Sequence, residues 1–248
     1  SQGPAISWKG IDENLYYFIG KDKNYQDVSG CGNTIAANRG LVRKLIIESL
    51  KCWASEFGVD GFRFDLGIAL SRGENLSPLD NPPIFEDIEC EPELVDIKFI
   101  SEPWDCGGLY KLGDFPSKNT FTWNGHFRDD LRRFWKGDKD TAWNMSDKIK
   151  GTPSIYKEDT IFPKSINFIT SHDGFTLKDL VTFNRKHNFA NREQNRDGDN
   201  HNNSWNHGME GPTTNLLIKD LRKRQQKNLL LSLLTVSYTH LTLPTKNE

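Results

Sequence analysis

Long apolar runs are missing from this sequence: nowhere in its 248 residues is there a stretch approaching the roughly 20 apolar residues that a membrane helix needs. The opening SQGPAISWKGIDENLYYF has neither a charged start leading into an apolar segment nor a methionine, so it does not read as a signal peptide. An excess of one charge is missing too. The 32 basic side chains stand against 34 acidic ones, a formal net charge of -2, which leaves no electrostatic footprint for nucleic acid or an anionic membrane. Cysteine is sparse: Cys31, Cys52, Cys90 and Cys106 are scattered with no CxxC pair, which argues against a zinc site and a disulfide framework and fits reduced thiols in a cytosol-like compartment. There is no internal repeat and no low-complexity linker. The expectation is a soluble protein with a sizeable core and a neutral ligand.

What is present is an alternation of short β-rich runs with longer helical patterns, the signature of a parallel α/β architecture. Leu41–Phe57 places Leu41, Leu45, Ile46, Leu50 and Trp53 broadly on one helical face, and Gly58 then ends that helix before a strand expected over Val59–Leu66. Further strands are expected at Val95–Ser101, Ile166–Ser171 and Phe121–Trp123. The last leads into an amphipathic helix carrying Phe127, Leu131, Phe134 and Trp135, and Leu221–Leu234 reads as another helix. Ser71–Pro92 and Asn184–Asn215 read as long polar loops, the kind that carry function.

Charge inside an apolar run needs a reason, and Gly58–Leu70, GVDGFRFDLGIAL, contains both Arg63 and Asp65. In a strand these two share one face while Phe62 and Phe64 take the other. They suit a buried ion pair that fixes strand register equally well as a functional pair. Three of the expected strands end in an acid: Asp65, Glu102, and Asp173 after His172. Acids at successive strand ends match a parallel barrel, whose active site lies at the C-terminal ends of its strands. A guanidinium beside Asp65 favours the ionised carboxylate that a nucleophile requires. Glu102, followed by Pro103 and Trp104, is expected against an aromatic wall that favours the protonated form of a general acid. That combination is the toolkit of glycoside hydrolysis, with a separation of about 5–5.5 Å indicating a retaining mechanism. Trp104, Trp123 and Trp205 suit stacking on sugar rings as well as they suit a structural role.

GFRFD, SEPWD and TSHDG resemble the catalytic motifs of the alpha-amylase superfamily of glycoside hydrolases. SWKGIDENLYYF, SGCGNT, EPWDCGGLY, WNGHFRDDLRRFWKG and NRDGDNHNNSWNHG resemble its isoamylase-type glycogen and starch debranching enzymes. The resemblance implies a partial (β/α)8 barrel over 1–235, roughly strands four to seven, without strands one to three and strand eight. It implies cleavage of alpha-1,6 branch linkages in glycogen or a related alpha-glucan by retaining double displacement. Asp65 would be the nucleophile, Glu102 the acid/base and Asp173 the transition-state stabiliser, with Arg63 and His172 as substrate contacts; Trp104 is added as a substrate contact for its aromatic face. No cofactor or metal is implied, and the location would be cytoplasmic, or plastid for a plant or algal chain. The superfamily's Asp and Asn-His motif is expected upstream of residue 1. Residues 236–248 read as a tail foreign to the family, of the sort a sequencing artefact leaves, and the chain by itself is expected to be inactive. Gly67 and Ser101 each stand where the family has alanine. The alternatives are an alpha-1,4-acting or branching relative, and a non-catalytic glucan-binding subunit. Asp197-Gly198-Asp199-Asn200 resembles a calcium loop, but Gly208 occupies the twelfth position where an EF-hand needs Glu. His187, His201 and His207 lack metal-site spacing.

Overall fold

Parallel strands organise the first of the two units into which the chain divides, Ser1–Trp123; the second is Asn124–Glu248. The computed structural model describes Pro4, residues 6–156 and residues 164–235, so the tail expected at 236–248 lies outside the described residues. In the first unit the order is α1 (Trp8–Tyr16), α2 (Gly40–Ser55), β1 (Gly61–Phe64), α3 (Pro83–Cys90), β2 (Lys98–Ser101) and β3 (Thr120–Trp123). β2 lies between β1 and β3, parallel to both, with Phe64 opposite Ser101 and Ser101 opposite Thr122. An α/β arrangement on parallel strands is therefore present, as the alternating pattern suggests.

The strands are shorter than the apolar runs that contain them. β1 starts only after Gly58, in the left-handed region at φ 66, and stops where Leu66 turns left-handed at φ 44 and Gly67–Ser71 winds into a 3-10 turn. The start of the second run is likewise taken by a turn in which the Ile97 amide donates to the Leu94 carbonyl at 3.1 Å. Phe62 and Phe64 both stack on Phe99, with ring centroids 6.0 and 5.9 Å apart, beneath Leu50, Ile84, Phe85, Ile88 and Leu94. Burying an aromatic such as Phe99 contributes about 1.5–3 kcal/mol. On α2 the inward stripe is Val42, Ile46 and Leu50, while Leu41 is 64 % and Trp53 49 % exposed. This corrects the expected face in part: Ile46 and Leu50 pack inward as expected, but where α2 packs on α3 and the Pro92–Leu94 turn it is Val42 that is buried, with Leu41 and Trp53 outward. α3 occupies what reads as loop. Pro83 opens it, and Ile84, Phe85 and Ile88 bury one side.

The second unit holds α4 (Gly125–Lys136), α5 (Ala142–Ile149), β4 (Ser165–Ile166) and α6 (Leu216–Thr235). Asn124 caps α4 by accepting the Phe127 amide at 2.9 Å, and Gly137 closes it at φ 90, its amide reaching the Arg133 and Phe134 carbonyls. Phe127 and Leu131 then face Met145, Ile169, Leu180 and Leu229 in one core. The strand expected over Ile166–Ser171 is only two residues long, because a side chain rather than a neighbouring strand takes the Ile169 carbonyl. α6 begins five residues before the expected start, where Asn215 Oδ1 accepts from the Leu217 amide at 3.0 Å. Between Asn184 and Asn215 the chain is almost entirely irregular, with one 3-10 turn at Phe189–Asn191. Among the described residues no helix is long and apolar enough to cross a membrane.

Candidate active site

Register brings the first two acids together. Phe64 and Ser101 are the last paired residues of β1 and β2, so Asp65 and Glu102 leave adjacent parallel strands at the same end, and the Glu102 amide donates to the Phe64 carbonyl at 3.1 Å. A carboxylate oxygen of Asp65 lies within 4.8 Å of one of Glu102. The strand's alternation separates the faces as expected, with Phe62 and Phe64 in the core and Arg63 and Asp65 on the opposite face.

Arg63 bridges the two acids. Nη1 donates to Asp65 Oδ1 at 2.9 Å and Nη2 donates to Glu102 Oε1, while the guanidinium carbon lies 4.2 Å from the centre of the Trp123 ring. A planar fork can serve two carboxylates and stack on an aromatic face at once, which a lysine could not do. Trp123 therefore offers one of its faces to Arg63. Asp65 is open to solvent at 66 % side-chain exposure, whereas Glu102 is 1 % exposed. Glu102 Oε2 accepts the Leu66 amide at 2.8 Å, a donor aimed inward because Leu66 is left-handed. Glu102 thus receives a cation and an amide as hydrogen-bond donors. The reason is geometric: parallel register sets a residue leaving β2 beside the donors leaving β1. Trp104 is half-buried, 5.9 Å from Tyr110 and bridged to it across a small antiparallel turn.

Behind the acids sits an ion pair that sequence reading passed over. Arg72 Nε and Nη2 donate to Asp105 Oδ2 at 2.9 and 2.7 Å, and Asp105 Oδ1 accepts the Gly107 and Leu109 amides. Both side chains are at most 8 % exposed. The pair ties the segment after β1 to the segment after β2. The available signal was a charged residue at each end of the two catalytic-looking strings, Arg72 after GFRFDLGIALS and Asp105 in SEPWD. Gly67 and Ser101 also meet here: a Cβ on Gly67 would stand 2.0 Å from Ser101 Oγ, so the two departures from alanine are one adjustment.

His172 and Asp173 lie in the second unit, Nε2 to Oδ1 at 3.3 Å, both substantially exposed. The Asp173 carbonyl accepts the Asp199 amide at 2.9 Å, and Asp173 opens onto a cleft of about 270 Å³ lined also by Phe183, Arg185, Lys186 and Asn188. Two side chains brace the loop around this cleft. Lys186 Nζ donates to the carbonyls of Arg196, Asp197 and Gly198 at 2.8–3.0 Å. Glu210 accepts from His187, the Asn184 and Arg185 amides and Asn206. Desolvation works to raise its pKa, but these donors together outweigh it and hold the carboxyl at about 2. The three loop histidines have separate surroundings: His187 on Glu210, His201 92 % exposed, and His207 buried against Trp205 with ring centroids 4.1 Å apart. Burial and then Arg222 push the His207 imidazole pKa down. Among the described residues none of the three joins a cluster of metal-ligating groups.

No family model matches the chain. Over 92 % of its length it is 46 % identical to isoamylase 3, chloroplastic, of Oryza sativa subsp. japonica, covering 30 % of that protein. It is 40 % identical to the glycogen operon protein GlgX homolog of Haemophilus influenzae over 97 % of its length and 37 % of that protein's. The chain thus spans about a third of the curated relatives it matches. The pullulanase from Bacillus acidopullulyticus shares the fold over 88 % of this chain and 31 % of its own, with a TM-score of 0.54 and 21 % identity. The homology that the motifs indicate is present along nearly the whole chain.

Proposed function

We propose, taking that homology to isoamylases and GlgX proteins as the premise, that the chain contributes part of the catalytic barrel of an alpha-1,6-glucan debranching glycoside hydrolase. Residues 1–235 are read as roughly strands four to seven of the (β/α)8 barrel, and the substrate as the branch points of glycogen or an amylopectin-like glucan. Cytoplasm, or plastid in a plant or alga, is the compartment this reading expects. Asp65 attacks the anomeric carbon, Glu102 protonates the leaving oxygen and then activates water, and Asp173 holds ring hydroxyls more strongly in the transition state. Arg63, His172 and Trp104 contact the sugar.

The observation that carries this reading is the approach of the Asp65 and Glu102 carboxylates to within 4.8 Å. Retaining glycosidases hold their two carboxyl groups about 5–5.5 Å apart, whereas inverting ones need about 6.5–9.5 Å to admit a water. The division of labour also fits the burial. Asp65 is open to an incoming sugar, and Glu102 is enclosed.

The test is Asp65→Asn in a full-length protein carrying this segment, assayed by reducing-end release from amylopectin and pullulan. Activity should fall by at least about 10³-fold, because the amide cannot form the glycosyl ester. Retention of more than a few per cent of the activity would remove Asp65 from the nucleophile role.

A further inference from the structure

The second unit contains a buried cation that the proposed chemistry does not use. Arg132, on α4, is 3 % exposed, yet among the described residues no carboxylate lies within ion-pair distance of it. Burial, and then the nearby Arg128, hold its guanidinium down at about 10. Asp129 and Asp199 act in the other direction without pairing with it, so a charge buried this way depends on the hydrogen bonds its donors make.

The donors of Arg132 converge on the backbone that carries Asp173. Nε donates to the Ile169 carbonyl at 2.8 Å, Nη2 donates to the same oxygen at 2.5 Å, and Nη1 donates to the Asn202 carbonyl at 3.1 Å. Asn202 passes the link on: its Oδ1 accepts the Phe175 amide at 2.8 Å, and its Nδ2 donates to the Asp199 carbonyl at 2.8 Å. The Asp199 amide in turn donates to the Asp173 carbonyl at 2.9 Å. The segment from Ile169 to Phe175 is thereby held before, at and after Asp173. Gly174 is the residue that permits it, because a Cβ there would stand 2.9 Å from Asn202 Oδ1 and 4.0 Å from the terminal nitrogens of Arg132.

We propose that Arg132 is a positioning residue for Asp173: through the Ile169 and Asn202 carbonyls its guanidinium fixes the backbone that presents the Asp173 carboxylate to the sugar. This rests on the role given to Asp173 above. Strand pairing cannot supply the same rigidity, since β4 ends at Ile166. A fork of three used donors, fixed to α4 inside the Phe127–Leu131 core, holds the otherwise irregular segment in place.

Arg132→Met and Arg132→Lys in a full-length protein carrying this segment test the assignment. A group held about 1 Å out of place can lose about 10²-fold in rate. The expected result for Arg132→Met is therefore a fall in kcat on amylopectin of about 10–100-fold with KM changed less than about twofold. Hydrogen exchange should speed up at the Phe175 and Asp199 amides but not in the α4 core. Arg132→Lys, which keeps one donor, should recover part of kcat. Asn202→Ala, which spares the buried cation, should reproduce both the kcat loss and the faster Phe175 exchange if Arg132→Met does not fold. Unchanged kcat in the folded variants, or a loss confined to KM, would overturn the proposal. Full activity of Asp173→Asn alone would instead overturn the role of Asp173 itself, and the inference with it.

Discussion

Replacing Gly67 by alanine sets one methyl group against one hydroxyl. The added Cβ would stand 2.0 Å from Ser101 Oγ, 2.8 Å from Phe64 Cβ and 3.2 Å from Ser101 Cβ, in a place where Gly67 is buried and Ser101 is 0 % exposed. The backbone of Gly67 is not in the left-handed region, so alanine adds no conformational strain and the cost is steric. Relieving the contact with Oγ means rotating the Ser101 hydroxyl off its bond to the Glu102 carbonyl inside a packed layer, and the Phe64 contact remains, which together put the penalty within the ~1–3 kcal/mol range for overpacking. Ser101→Ala alone gives up a 3.1 Å hydrogen bond to the Glu102 carbonyl and should cost at most about 1 kcal/mol. In the double variant the contact with Oγ is gone, and the contact with Phe64 Cβ at 2.8 Å, which must still be relieved, is common to both proteins that carry alanine at 67 and so cancels in the comparison. The double variant should thus be about 1–2 kcal/mol more stable than the sum of the single changes implies. Urea unfolding of the four proteins measures this, with equal m values as the condition for comparing midpoints. Single-variant costs that simply add, to within about 0.5 kcal/mol, would refute the argument that glycine and serine here are one compensated exchange.

Two other outcomes follow from the same structure. Asp105→Ala strands the Arg72 guanidinium and the Gly107 and Leu109 amides in a buried site. It should destabilise the first unit by about 3–5 kcal/mol in chemical denaturation, and Arg72→Met with Asp105→Leu should recover much of that loss. Glu210 is held at about 2 against an ordinary 4.5, so the unfolded chain binds the proton more readily than the folded one. Its contribution is fully present above pH 4.5 and is lost as the pH falls towards 2. The carboxylate is 35 % exposed, and solvent screening limits the effect to about 1 kcal/mol. Acid unfolding of Glu210→Gln should lack this component, and an unaltered pH profile would count against it.

Much of the first site was legible along the chain because a strand's period of two is a local property. Once GFRF is a strand, Arg63 must face away from Phe62 and Phe64, and the turn after it carries Asp65. The helical periodicity of α4 and its capping by Asn124 and Gly137 are local in the same way. Other features turned on partners far away in sequence. Whether Leu41 or Val42 leads the buried stripe of α2 depends on packing against α3 and the Pro92–Leu94 turn, and the helix at Pro83–Cys90 is too short to form without the core it shares with α2 and Phe99. The hydrogen-bond donors that Arg63 and the Leu66 amide bring to Glu102 come from more than 35 residues away, so no local pattern announces them.

The sequence by itself determined which residue types leave β1 and β2, because backbone alternation, helix spacing and turn chemistry are set within a few residues; it placed Asp173 at a strand end, whereas β4 stops at Ile166. Only the tertiary structure decided that Arg63 serves both carboxylates beside Trp123, that Gly67 yields its space to Ser101, and that Arg132 donates to the Ile169 and Asn202 carbonyls. Apart from the local bond of Arg63 to Asp65, those are contacts across more than 30 residues, fixed by parallel register and by the cost of leaving a buried donor without an acceptor.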